Sequence, residues 1–273
     1  MIDDVLRNEL LVPKKLLHQW RMNKSILLNG EVIRFETLFS NGDTLSLPIY
    51  ESEENDIPPF ECNLTVHYED DDILIVEKPN GMNTHPDSPE QKDTLLNAVS
   101  HYFNVKKIVS KPRHIHRLDR DTTGLVLFGK NAYIASQLDR LLEMKKIKRS
   151  YVALVEGLVK KDNESIRSSI ARDRHTNRMR VSTTGQTAVT HLEVLERFPN
   201  KQQTLVTCNL ETGRTHQIRV HLSSIGHPLV GDQLYGGKPI EKGQMLHAYQ
   251  IELVHPLSGR KIVAKSITDF MRQ

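Results

Sequence analysis

Residues 116–131 read HRLDRDTTGLVLFGKN, a charged and turn-rich start that runs into an apolar end. Its second half, Leu125-Val126-Leu127-Phe128, is an apolar run that stops at Gly129. A run this short, bounded by turn residues, suits a strand covered on both faces better than a helix. Ahead of it stand Asp121, Thr122, Thr123 and Gly124, types that hydrogen-bond their own backbone, with a glycine free to take positive φ. Ahead of these, Asp119 lies between Arg117 and Arg120. The stretch therefore places a carboxylate in a tight loop at the mouth of a buried strand, with cations on either side. Nearby positive charge favours the ionised form, and an ionised, positioned carboxylate can act as nucleophile or base. An aspartate that only closes the turn fits the same residues, since structural ion pairs also perturb carboxylates.

At 273 residues the chain holds one good-sized domain and a small one. A net charge of +3 says little about partners, but its distribution is uneven. Residues 106–149 carry twelve Lys and Arg against four Asp and Glu, while residues 51–72 carry nine acids and no Lys or Arg. A basic block of that size suits a polyanion such as nucleic acid, and a solvated helix face fits it equally. Cys62 and Cys208 belong to no C-x-x-C spacing, so neither zinc ligation nor a disulfide framework is indicated. No leader pattern opens the sequence and no apolar run approaches spanning length, which gives a cytoplasmic location as the expectation.

Residues 1–50 read as a separate small unit. Residues 14–22 are a basic, helix-like stretch with Leu16, Leu17 and Trp20 on one side, and Asn29-Gly30 joins two apolar runs in a hairpin signal. Residues 51–63, acidic and holding Pro58-Pro59, read as a linker. Residues 64–273 then open with two strand patterns, 64–70 and 73–79. Helical spacing follows over 94–103 and again after Asn131, a capping type, with Ile134, Leu138, Leu141 and Leu142 in the apolar stripe. Strand patterns recur at 148–155 and 204–210. Residues 215–224 have helical spacing through Ile218, Leu222 and Ile225, and the pattern beginning at Leu246 is expected to close the sheet. The arginine-rich stretch 167–180 lacks periodicity and reads as a loop or hairpin that touches phosphate; a wholly solvated loop fits it too.

HRLDRDTTG resembles the HRLD-x-x-T-S-G signature of the RluA/RluD family of RNA pseudouridine synthases, with Thr123 keeping the hydroxyl where serine is usual. Three further motifs are similar to the family's in the same order. They are the opening stretch with Lys78-Pro79 and His85-Pro86, the K-x-Y-x-A-L-V type run with Tyr151, and LETGRTHQIRVH followed by the G-H-P-x-x-G-D-x-x-Y-G pattern of residues 226–236. The likeness spans residue 64 to the end. Residues 1–50 are similar, more loosely, to the small αL RNA-binding module named after ribosomal protein S-four.

The resemblance implies an α+β fold, a mixed, mostly antiparallel sheet crossed by a catalytic cleft, with the small RNA-binding module in front. It implies that uridines in structured RNA are isomerised to pseudouridine, ribosomal RNA being the first choice and transfer RNA the second. Asp119 is then the catalytic residue, Arg219 its ion-pair partner, and Tyr151 the ring that stacks on the uracil and helps to remove the proton at the ring carbon. Arg117, Arg120, Arg214, Lys14, Lys15 and Arg21 are the expected RNA contacts. The isomerisation gains and loses no atoms, so no metal or other cofactor is expected, and no protein partner is implied. The target base must leave its helix.

Two other classes fit less well. A metal hydrolase could use His114 and His116, but His216 and His221 lie about 140° apart around a helix. A phosphate-binding loop at Gly236-Gly237-Lys238 is broken by Pro239 and lacks the preceding spacing. A binding protein that keeps this fold without catalysis is opposed by the presence of Asp119, Tyr151 and Arg219 together.

Overall fold

The computed structural model describes residues 1–34, 36–176 and 178–271. It begins with helical turns over Ile2–Asp4 (α1) and Val5–Glu9, then α2 (Lys14–Met22) and three short strands, β1 (Leu27–Leu28), β2 (Glu31–Val32) and β3 (Leu45–Ser46). Asn29 and Gly30 both take positive φ, the requirement of a tight two-residue hairpin, and β1 pairs β2 across them. Then come β4 (Thr65–Glu69), β5 (Ile73–Lys78), α3 (Leu95–Lys106), β6 (Arg113–His114), β7 (Thr123–Gly129), α4 (Ala132–Glu143) and β8 (Lys148–Glu156). The second half holds β9 (Asn163–Ile166), the small hairpin β10 (Ile170–Arg172) and β11 (Met179–Val181), and the long pair β12 (Thr190–Phe198) and β13 (Gln203–Leu210). It ends with α5 (Gln217–Ser224), β14 (Leu246–Val254) and β15 (Lys261–Lys265).

Ten strands form one sheet in the order β4-β5-β7-β14-β8-β13-β12-β9, with β6 beside β7 and β15 beside β14. Its pairings are antiparallel except β7 with β14, which is parallel. This is the mixed, mostly antiparallel α+β architecture expected. The C-terminal pattern does not close the sheet, however. β14 enters its centre between β7 and β8, and β15, unforeseen, turns back against it. Gly124 makes that insertion possible, because a Cβ there would stand 2.4 Å from the carbonyl oxygen of Ala248 on β14.

Both faces of the central strands are covered, which is why they are apolar throughout and do not alternate. Ile73, Ile75, Leu125 and Leu127 point into one apolar cluster with α4, while Leu74, Val76, Val126 and Phe128 point into another with α3 and α5. Asn131 caps α4 as expected, its side chain accepting the Ile134 amide at 2.8 Å. The amino-terminal segment shares the first cluster. Leu17 and Trp20 of α2 pack toward Tyr133 of α4, the rings of Trp20 and Tyr133 being 6.1 Å apart, and Tyr133 donates to the Leu10 carbonyl at 3.0 Å.

The acidic stretch before β4 lies along α3. Ser100 donates to the Ile57 carbonyl at 2.7 Å and Asn97 to the Pro58 carbonyl at 2.8 Å. Its carboxylates Glu53 and Asp56 pair with Arg113 and Lys111.

Candidate active site

Asp119 sits on the loop just before β7, and that loop is clamped from three directions. Thr84 donates through its hydroxyl to the Leu118 carbonyl at 2.9 Å and accepts the Leu118 amide at 3.0 Å, fixing the residue before the aspartate. The Asp119 carbonyl accepts the Thr122 amide at 3.0 Å, and Gln244 donates to the Thr122 hydroxyl at 2.6 Å, tying the turn to the segment leading into β14.

From the end of β5, the fully buried Lys78 donates to the carbonyls of Pro79 (2.9 Å), Met82 (2.7 Å) and Arg120 (2.8 Å). Burial drags its pKa down to about 7, opposed by Asp121 and Asp119. Three carbonyls at bonding distance match the three donors of an ammonium, so the loop is built around the charged form. Replacing Lys78 by Met leaves three partly buried carbonyls without their donor and is expected to cost about 1–3 kcal/mol. It is also expected to slow the reaction on the order of 10²-fold by loosening the aspartate loop. Urea unfolding checks the first effect; an unmoved midpoint would contradict it.

The partner of Asp119 is Arg219, one hundred residues on. Arg219 Nη1 donates to Asp119 Oδ2 at 3.1 Å. The same guanidinium makes a two-pronged pair with Asp232, Nε to Oδ2 at 2.7 Å and Nη2 to Oδ1 at 2.9 Å. Such forked pairs fix orientation as well as charge. Burial opposes the charge on Arg219, but Asp232 and then Asp119 outweigh it and raise its pKa above the ordinary value. Asp232, 2% exposed, is thus the anchor that holds Arg219 against the aspartate. It stands in the Gly-Asp part of the motif after α5, where nothing local says that its partner is an arginine on that helix.

Arg117 and Arg120 do not pair with Asp119, contrary to the flanking-cation reading. Arg120 turns away, its Nε donating to the Gly81 carbonyl at 3.1 Å, and Arg117 is exposed at the mouth. Neighbouring positions in a tight turn point in different directions, so sequence adjacency did not translate into pairing.

α5 begins two residues later than its spacing suggests. His216 has φ +55°, which breaks the helix and turns its ring toward the loop, with Nε2 3.8 Å from Asp119 Oδ2. Gln217, buried, holds the preceding turn by accepting the Thr212 hydroxyl at 2.7 Å and the Arg214 amide at 3.0 Å.

A cavity of about 560 Å³ opens beside Asp119, lined by Tyr151, Arg149, Arg214, Ile218 and Leu246 among others. An adjoining one of about 480 Å³ shares Arg117, Asp119, His216 and Arg219 and includes Arg120. Volumes of this order hold small organic groups. Tyr151, 5% exposed on β8, lies in the same cavity as Asp119. Burial raises its pKa, with Arg149 opposing and Asp119 adding, so its hydroxyl is protonated near neutrality. Arg149 was not foreseen as a site residue. Its Nε is buried and makes no hydrogen bond among the described residues, which is the signal of a group waiting for an acceptor.

Lys14, Lys15 and Arg21 are exposed on α2, whose Leu17 and Trp20 are buried, with Arg21 3.9 Å from Glu36. Arg214 is exposed at the cavity rim and donates to the Thr187 carbonyl at 3.2 Å. The arginine-rich stretch forms the hairpin β10–β11. The histidines considered for a metal go separate ways. His114 stacks on His85, His116 accepts the Leu127 amide, and His221 bonds Thr190 and Ser168. Among the described residues no helix is long and apolar enough to cross a membrane.

Comparison with known proteins places this geometry in context. Residues 72–224 match the RNA pseudouridylate synthase family, and residues 1–45 match the RluD ribosomal pseudouridine synthase N-terminal domain. The chain is 40% identical over 264 residues to the uncharacterized RNA pseudouridine synthase YhcT of Bacillus subtilis, covering 96% of this chain and 87% of that one. It is 37% identical over 262 residues to ribosomal large subunit pseudouridine synthase D of Nitrosomonas europaea, covering 92% and 75%. Among solved structures, human RNA pseudouridylate synthase domain containing 1 superposes with a TM-score of 0.63 at 26% identity, over 76% of this chain and 84% of that one. A family match over more than half of the chain, joined to relatives of this identity along nearly all of it, leaves one conclusion: the chain belongs to the RNA pseudouridylate synthase family, enzymes that isomerise uridine to pseudouridine in RNA.

Proposed function

We propose that Asp119 carries out the isomerisation, with Arg219 and Tyr151 as its partners in the site, and that the substrate is ribosomal RNA. The observation that carries the catalytic reading is the asymmetry of the carboxylate. Arg219 and His216 both face Oδ2, and among the described residues no hydrogen bond is made to Oδ1. One oxygen is held and the other is left for chemistry in a cavity that also contains a buried tyrosine ring.

The reaction breaks the bond between the ribose C1′ and the uracil N1, turns the base, and forms a bond from C1′ to C5. The proton on C5 leaves and N1 gains one, so nothing is added overall. Asp119 supplies the charged oxygen, Arg219 holds it in orientation, and Tyr151 gives the detached uracil a flat surface. A protonated Tyr151 is better suited to stacking than to taking up the C5 proton, which narrows the role expected of it.

Support for ribosomal RNA over transfer RNA comes from residues 1–45, which match an amino-terminal domain named for a ribosomal enzyme, and from relatives named for the large ribosomal subunit. In this reading residues 1–50 are an RNA-binding module, 51–63 its acidic connection and 64–273 the catalytic domain, working in the cytoplasm. Lys14, Lys15 and Arg21 on α2, and Arg117, Arg120 and Arg214 around the cavities, contact the RNA backbone. Arg149, with its unpartnered Nε, offers a further donor to the flipped nucleotide.

Two measurements test this. Unmodified transcripts of large-subunit ribosomal RNA and of transfer RNA, labelled with 5-tritiated uridine, are compared for tritium release; release from transfer RNA alone would reverse the substrate assignment. Filter binding across a series of salt concentrations should give a linear log–log plot. Lys14→Ala, Lys15→Ala and Arg21→Ala together are expected to flatten its slope by roughly 0.7–0.9 for each phosphate that is no longer neutralised. An unchanged slope would take the α2 face out of the RNA interface.

A further inference from the structure

Two side chains beyond the Asp119–Arg219 pair form a connected device next to the reacting carboxylate. Tyr235 lies in a short 3-10 turn (Gln233–Tyr235) directly after Asp232. Its hydroxyl accepts the backbone amide of Met179 on β11 at 3.0 Å and stands 2.8 Å from His216 Nδ1. The two rings meet edge to face with centroids 5.7 Å apart. The Arg219 guanidinium lies over the Tyr235 ring, 5.0 Å from its centroid. One ring therefore touches both groups that face Asp119 Oδ2.

The donor count sets the direction of the first of these hydrogen bonds and leaves the second open to the hydroxyl as donor. The Met179 N–H can only donate, so it occupies a lone pair of the tyrosine oxygen. The hydroxyl's single proton is then available to His216 Nδ1. With Nδ1 accepting, the proton of a neutral imidazole is on Nε2, the atom that faces Asp119. His216 is neutral near physiological pH, since burial lowers its pKa; Asp119 and Asp232 raise it, and Arg219 and Arg117 lower it further. Its left-handed backbone, disfavoured for a residue with a Cβ, is retained where it swings the ring into the cleft.

At 3.8 Å, Nε2 is too far from Oδ2 to bond it. Among the described residues no hydrogen bond is made to Nε2, which lies at a point that borders both cavities. We propose that His216 donates from Nε2 to an oxygen of the flipped nucleotide beside Asp119, and that Tyr235 is the positioning residue that sets the tautomer and direction of that donor. The inference rests on the assignment of Asp119 as the reacting group.

The test uses the full-length enzyme and total RNA from cells lacking it, grown with 5-tritiated uridine, so that no choice of target RNA is built in. Tyr235→Phe keeps the ring over Arg219 and removes only the hydroxyl. It is expected to lower kcat about tenfold, the worth of one hydrogen bond made in the transition state, with KM within about twofold. Without the hydroxyl's proton, Nδ1 can carry the ring's own proton and leave Nε2 bare; protonating the ring restores the Nε2 donor, so the loss in Tyr235→Phe should shrink as the pH falls. His216→Gln, whose amide can donate without help from Tyr235, should retain more activity than His216→Leu.

The decisive comparison is between backgrounds. In His216→Gln, adding Tyr235→Phe should change kcat by less than about twofold, because the tyrosine acts through the histidine. An unchanged kcat in Tyr235→Phe, or the same loss in both backgrounds, would overturn the proposal. Asp119→Asn, assayed alongside, separates the two levels. Full activity in that variant removes the assignment of Asp119, whereas an inactive Asp119→Asn beside an unaffected Tyr235→Phe removes only the inference about His216.

Discussion

Asp119→Asn is expected to lose pseudouridine formation by about 10⁴-fold or more, the scale on which removal of a central catalytic group acts. The substitution keeps the side chain's shape, and its amide oxygen can still accept from Arg219 Nη1, which now bonds Oδ2 at 3.1 Å. What it removes is the charge and the second equivalent oxygen. The loop itself is held through backbone atoms of Leu118, Asp119 and Arg120 by Thr84, Thr122 and Lys78, and none of these hydrogen bonds is made to the carboxylate. The variant should therefore melt within a few degrees of wild type and still bind RNA. Loss of activity with loss of fold would show that Asp119 matters as a turn residue, the plainer reading of the sequence.

Arg219→Met should fail in both respects. The methionine leaves Asp232, buried and bonded through both oxygens to the guanidinium that is removed, as an uncompensated charge. Breaking such a pair by removing one partner costs about 3–5 kcal/mol. Asp119 loses its orienting donor at the same time, which should reduce kcat on the order of 10²–10³-fold among the molecules that remain folded. The double variant Arg219→Met/Asp232→Leu removes both charges and should recover most of the stability without recovering activity. Thermal unfolding and single-turnover assays on wild type and these two variants separate the effects. If the double variant were as unstable as the single one, the Asp232 pair would not be what anchors Arg219. Arg219→Lys cannot serve both carboxylates with the same fork and should fall between.

Much of this was legible in the chain because it is local. The apolar run after the Asp119 loop became β7, the Asn29-Gly30 turn became a hairpin, and Asn131 became a cap, each through chemistry confined to a few residues. The pairing of Asp119 with Arg219 spans a hundred residues and came from motif likeness, not from spacing. What was missed is equally specific. β14 enters the middle of the sheet because Gly124 lets its backbone approach, and strand order leaves no mark on hydrophobic periodicity. The helical spacing over residues 215–224 runs through His216, whose left-handed backbone breaks it for the benefit of the site. Lys78 and Asp232 are ordinary members of their motifs when read in sequence. Only burial reveals that the first fastens three carbonyls and the second fixes an arginine.

Conversion of uridine to pseudouridine through Asp119 can be followed in living cells by chemical mapping of pseudouridine. Ribosomal and transfer RNA would be mapped in a strain lacking the gene, then in the same strain carrying the wild-type protein or Asp119→Asn at equal abundance. One or more ribosomal RNA sites should disappear on deletion, return with wild type and stay absent with the asparagine variant. Sites restored in full by Asp119→Asn, or no site lost on deletion, would contradict it and leave an RNA-binding protein in place of the enzyme.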